Sequence, residues 1–115
     1  MTIAQKSEQH PKGGQCTKHT GDNTGGAAPE LGQWVYVTDE NVGVDLVVTS
    51  GTAVVELTSS LPSEANDGSA VPFDWAPGAQ AGAGKKSGVV SGATAVRLKL
   101  TAATTIATMS VRSGR

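Results

Sequence analysis

A single cysteine, Cys16, in 115 residues excludes an intramolecular disulfide, and with it the covalent framework on which many small secreted domains depend. Aromatic residues are almost as scarce, at 3%, so the expected core is thin and lacks the bulk that lines a deep substrate pocket. Long apolar runs are missing too. Runs such as Val47-Val48 and Ala53-Val54-Val55 fall far short of the roughly 20 residues that a membrane-spanning helix needs. The start of the chain, Met1 to His10, has no apolar core of a secretory signal, and the expected place of synthesis and use is a cytoplasm. Apolar residues at helical spacing are absent throughout.

What the chain does have is glycine, 15 residues of it, set among Val, Thr, Ala and Ser. That mixture favours pleated, half-buried strands joined by tight turns. The length fits one domain with one core. Net charge is −1, yet the charges are segregated. Residues 31–84 carry Asp39, Glu40, Asp45, Glu56, Glu64, Asp67 and Asp74 with no Lys or Arg, and residues 85–115 carry Lys85, Lys86, Arg97, Lys99, Arg112 and Arg115 with no acid. Such blocks neutralise each other across neighbouring strands or form opposite poles that dock copies together; cross-strand pairing needs no partner and is the simpler expectation. A nucleic-acid partner is not expected, because no basic stripe interleaved with aromatics occurs.

Residues 1–30 are polar and glycine-rich, with Gly13-Gly14, Gly25-Gly26 and two prolines. They show no strand or helix periodicity and are expected to form a flexible N-terminal arm. From Leu31 onward the pattern has period two, giving a β-sandwich domain over 31–115. Expected strands lie at 32–38, 44–49, 52–58, 87–90, 94–101 and 106–112. The Ser50-Gly51 pair predicts a tight hairpin between the second and third, and residues 102–105 a further hairpin between the last two. Alternation is clearest at Thr94–Thr101, with Val96, Leu98 and Leu100 on one side and Arg97, Lys99 and Thr101 on the other. Residues 59–86, rich in proline and glycine, form a long excursion of the kind that carries function. The fold class is therefore all-β, a small antiparallel sandwich or jelly-roll-like barrel.

Candidate chemistry is sparse. His10, Cys16, His19 and Asp22 are close in sequence, but only Cys16-x2-His19 has a local ligand spacing, and a structural zinc site needs a second such pair. No metal or cofactor is expected. Both histidines lie in the arm, away from any Gly-x-Ser-x-Gly elbow, and Gly82-Ala-Gly-Lys85 lacks the spacing of a phosphate loop. Nothing groups Asp39, Glu40, Glu56 or Asp74 into the carboxylate pair of a glycosidase. The expectation is a protein that is not an enzyme.

The segment Pro72-Phe73-Asp74-Trp75-Ala76-Pro77 holds two of the aromatic residues in a proline-bracketed loop. Phe73 and Trp75 either anchor that loop over the open end of the sandwich or serve, with Asp74, as interface contacts. Trp34 and Tyr36 share one side of the first expected strand and Val35 and Val37 the other. If the aromatic side faces outward, it suits sugar stacking or an intersubunit contact; if it faces inward, the two rings are core. Lys85 and Lys86, at the head of the basic block, complete the set of candidate interface residues.

The run Ser91-Gly-Ala-Thr-Ala-Val-Arg-Leu-Lys-Leu-Thr-Ala-Ala-Thr-Thr-Ile-Ala-Thr-Met-Ser-Val-Arg112, following Gly51-Thr-Ala-Val-Val-Glu-Leu57, resembles small virion proteins of tailed bacteriophages, above all capsid decoration or cement proteins. The resemblance covers residues 32–112. It implies a protein made in the host cytoplasm that binds the exterior of an assembled head, often as a homotrimer, and ties neighbouring major capsid protein subunits together. A glycan-binding head-fibre or adhesin module, using Trp34, Tyr36 or Trp75 as a stacking platform, is the alternative.

Overall fold

The computed structural model describes residues 2–9, 15–37 and 41–113. His10, Asp39, Glu40 and Arg115, named above, lie outside the described residues. Two antiparallel sheets stack face to face, as expected for a sandwich, and the strands do not close into a barrel. The first sheet has strand order β1-β2-β11-β5-β9, built from β1 (Thr2–Gln9), β2 (Gln15–Asp22), β5 (Asn41–Ser50), β9 (Gly84–Ser91) and β11 (Ile106–Ser113). The second has order β3-β10-β6-β7, from β3 (Glu30–Leu31), β6 (Thr52–Thr58), β7 (Phe73–Asp74) and β10 (Ala95–Leu100), with β4 (Val35–Tyr36) also on β10 and β8 (Gln80–Ala81) also on β6.

The dry layer is where period two placed it. Val42, Val44, Leu46 and Val48 of β5 and Ala107, Met109 and Val111 of β11 meet Ala53 and Val55 of β6 and Val96, Leu98 and Leu100 of β10, all buried. Burying side chains of this size stabilises by about 1.5–3 kcal/mol each relative to leaving them in water.

Three expectations are corrected. The expected arm at 1–30 carries strands where it is described: β1 pairs with β2 over eight positions, and β2 pairs with β11 over eight more. The inward sides of these strands carry Ile3, which packs on the core, and Gln5, Ser7, Thr17 and His19, which pair with one another across the strands. Ser7 and Thr17 hydroxyls lie 3.2 Å apart, and His19 Nε2 is 3.1 Å from Gln5 Oε1. Neither expected hairpin forms. β5 and β6 lie in different sheets, as do β10 and β11. Apolar faces that alternate in phase can pack across the sandwich as readily as pair side by side, and here Gly51 turns the corner. Its φ is +81°, and a Cβ there would come within 2.6 Å of Thr105 Cα. Finally, the excursion at 59–86 contains a helix, α1 (Pro62–Asp67), too short to show a periodicity. Pro62 sits in its first turn, the Glu64 carboxylate accepts the Leu61 N–H at 2.8 Å, and Gly68 ends it with φ +88°.

The corner at which β5 passes to β6 and β10 to β11 is sewn by a buried polar knot. The Asn23 amide donates to the Ala102 carbonyl at 3.0 Å, its Oδ1 accepts the Thr105 N–H at 2.5 Å, and its own N–H donates to the Thr105 carbonyl at 3.0 Å. Thr105 Oγ1 in turn accepts the Thr52 N–H at 3.1 Å. Asn23 and Thr105 are fully buried, so each of these groups depends on its partner.

Candidate functional site

The two outer faces of the sandwich differ in kind. In the first sheet the strand registers align side chains in rows across five strands. One outward row runs Lys6, Lys18, Ser110, Asp45, Ser87; the next runs Glu8, Cys16, Arg112, Gly43, Val89; a third joins Thr20, Thr108, Val47 and Lys85. Among the described residues no helix covers this face. Small residues at Gly43, Cys16, Ser87 and Ser110 leave a shallow groove of about 520 Å³ between the rows, and a second of about 410 Å³ opens beside Asp45, Val47 and Lys85. Val47 and Val89 stand exposed in it, Val89 at 61%. Lys6 and Lys18 face each other directly, an unfavourable like-charge pair that Glu8 relieves with a contact of 3.1 Å to Lys6.

The outer face of the second sheet is covered. Val54, Glu56 and Thr58 are buried although they point away from the core. Glu56 is the hub: its Oε1 accepts Arg97 Nε and Nη2, both at 2.8 Å, and its Oε2 faces Lys99 Nζ at 3.4 Å. Glu56 of the acidic block thus meets Arg97 and Lys99 of the basic block across strands β6 and β10, the intramolecular outcome for these three residues. Trp34 lies over Arg97, whose Cζ is 4.2 Å from the ring centroid. Tyr36 donates its hydroxyl to the Pro62 carbonyl at 3.3 Å, tying β4 to the start of α1.

The structure scatters the candidate interface residues. Trp34 and Tyr36 face outward, while Val35 and Val37 pack against the core. Trp75 is 3% exposed and sits over Gly88, where an added Cβ would meet its Cζ2 at 3.0 Å. Its N–H donates to the Val55 carbonyl at 2.8 Å. It is therefore the anchor of its loop and no stacking platform. Phe73, 59% exposed, and Asp74 lie on the edge strand β7, and Lys85 and Lys86 lie on the edge strand β9 of the other sheet. Lys85 points to the outer rows, and Lys86 shares the inward row of Leu46.

The metal-ligand cluster does not assemble. Cys16 is in an outward row and His19 in the inward one, Gln5–His19–Met109–Leu46–Lys86, so their side chains leave β2 on opposite sides. The Asp22 carboxylate is taken by the Thr24 hydroxyl at 2.6 Å and the Thr24 N–H at 2.9 Å, which hold it below the usual carboxylate range. Among the described residues no group of three potential ligands converges. His19 is the one buried titratable side chain whose nitrogen, Nδ1, has no hydrogen-bond partner among the described residues, and burial lowers its pKa.

With this geometry in hand, similarity to known proteins was sought. No family model matches, and no curated protein matches. Solved structures give loose likenesses. CapF, a capsular polysaccharide assembling protein from Staphylococcus aureus, aligns over 97% of this chain at 14% identity with a TM-score of 0.48. This chain spans 31% of that CapF chain. A structure of Bacillus endospore appendages, described as disulfide-linked pili, aligns over 98% of this chain and 88% of its own at 18% identity and a TM-score of 0.41.

Proposed function

We propose that this protein is a non-catalytic structural module that docks on other protein surfaces through the open outer face of its five-stranded sheet, and that its partner is the shell of a tailed-bacteriophage head. The carrying observation is the contrast between the two outer faces: one is shielded by an aromatic side chain, a helix and an ion cluster, and the other presents bare rows of short and charged side chains. The likeness of residues 51–57 and 91–112 to decoration proteins supplies the identity of the partner, the major capsid protein.

The size of the face bears on how the module would bind. Five strands of about eight residues span roughly 19 by 26 Å, about 500 Å², below the roughly 800 Å² per partner of a stable pairwise interface. One copy would hold weakly. A homotrimer on a repeated lattice would multiply that weak contact by raising effective concentration, which suits a protein that acts on the capsid exterior. The mixture of Lys6, Lys18, Arg112 and Lys85 with Glu8 and Asp45 on one face would fix orientation and partner choice more than affinity.

The test is to mix the purified protein with phage heads lacking their decoration protein and to count bound copies by electron microscopy. The proposal expects saturable, symmetry-related occupancy on the outer shell. Heads that stay bare at every protein concentration would overturn it.

A further inference from the structure

We infer that the cleft on the opposite side of the sandwich, between Trp34, Tyr36 and helix α1, is a binding site for a neutral pyranose sugar. The site is distinct from the docking face, since Trp34 and Tyr36 lie outside the second sheet and the bare rows outside the first. Both could be occupied at once.

Four observations converge. First, the cleft measures about 350 Å³ and is lined by Gly32, Gln33, Trp34, Tyr36, Ala65 and Asn66, at the small end of the roughly 300–1,000 Å³ usual for ligand pockets. Second, none of the six lining residues is charged, while Gln33 and Asn66 each offer an amide donor pair and a carbonyl acceptor. That combination matches vicinal hydroxyls and gives no counter-ion to an anionic ligand. Third, the aromatic rings are held in place before any ligand arrives. Arg97 sits against Trp34 at 4.2 Å, Arg97 is itself pinned by Glu56 at 2.8 Å, and Tyr36 is tied to Pro62 at 3.3 Å. Rings fixed in this way bind with little loss of side-chain entropy. Fourth, Tyr36 remains 44% exposed, so its ring is open to a ligand. The apolar C–H face of a pyranose is the chemistry that uses an exposed ring beside carboxamides.

Charge explains why the ligand should be neutral. Behind the cleft, Arg97 and Lys99 both face the Glu56 carboxylate, so the cations nearest the rings are already engaged.

The test exploits the presence of only two tryptophans, one in the cleft and one in the core. In ¹⁵N-labelled protein each gives one indole N–H signal by NMR, and Trp75 serves as the internal reference for an intact fold. Glucose, galactose, mannose, N-acetylglucosamine, cellotriose and maltotriose are titrated separately to roughly 10 mM, well above a 1 mM dissociation constant. The inference expects a saturable shift of the Trp34 signal with at least one probe and none at Trp75. Trp34→Ala, followed through the Gln33 and Asn66 side-chain amide signals, should weaken that binding about tenfold, the effect of one aromatic contact. Should Trp34→Ala lose the native Trp75 signal, Asn66→Ala, on an exposed helix position, takes its place and should weaken binding severalfold at the Trp34 signal. Absence of a saturable shift with all six probes overturns the inference, as does binding that neither variant weakens. Trp34→Ala should leave capsid occupancy unchanged, so failure of one reading does not carry the other with it.

Discussion

Strands β5 and β6 are separated in sequence by Gly51 alone, yet their surroundings are opposite. Along β5, exposed and buried residues alternate without exception from Asn41 to Thr49, whereas β6 is buried at four successive positions, Ala53 to Glu56. Both strands give one side to the same core. The difference lies in what covers the other side: nothing over β5, and over β6 an ion cluster, Trp34 and the neighbouring strands. A sandwich of this size can have one outer face committed to packing and the other to solvent, and the face left in solvent is the one free to meet a partner.

The sharpest way to break this comparison is to place the same charge on each side of it. Val54→Asp buries a carboxylate at a position 2% exposed and should cost more than about 4 kcal/mol, enough to unfold a small domain. Val47→Asp, at a position 43% exposed, should change stability by no more than about 0.5 kcal/mol. Urea denaturation of the two variants reads the difference, and equal costs would refute it. Next in size is Asn23→Ala, which strips partners from the Thr105 N–H and the Ala102 carbonyl inside the corner knot and should cost about 3 kcal/mol by the same measurement. A value near zero would mean that the knot does not hold the two sheets' corner.

Glu56→Gln tests the covered face itself. Arg97 and Lys99 would lose the carboxylate that both contact, and the expected cost is about 2 kcal/mol, tempered because both cations are partly in water. The smallest effect is a pH dependence. Burial lowers the pKa of His19 below its ordinary 6.5, so the unfolded chain takes up a proton more readily than the folded one. Its contribution is complete above pH 6.5 and is lost as pH falls from there through the folded-state value. His19→Gln should flatten that part of the stability profile; an unchanged slope between pH 7 and 5 would show that His19 is not the group responsible.

Much of the fold was legible in period two alone. β10 and β5 each place strong apolar residues at every second position, and nothing else in the sequence competes with that signal. Pairing was not legible, because alternation fixes which side of a strand is dry and is silent on whether the next strand lies beside it or across from it. β1 and β2 escaped for a different reason. Apart from Ile3, which packs on the core, the positions on their inward side hold Gln5, Ser7, Thr17 and His19, so one apolar residue is too few to show a hydrophobic period. Asn23, the residue that closes the corner, lies in the same stretch and looks like any loop asparagine. At the surface, alternation put Trp34 and Tyr36 opposite Val35 and Val37 but left open which pair faces out, and whether Trp75 was an anchor or a contact depended on Gly88, thirteen residues away, leaving room for its ring. The docking face could not be read at all, since its rows are assembled by register from five separate strands.

The docking face is tested most directly by filling its groove. Ser87→Arg combined with Ser110→Arg places two long side chains in one outward row, on either side of Asp45, without touching the core, so the variant should keep wild-type stability. On the same undecorated heads, wild-type protein should reach full occupancy while the variant falls at least about tenfold short, the effect of excluding a partner from a central contact. Equal occupancy by the two proteins would contradict the assignment of this face.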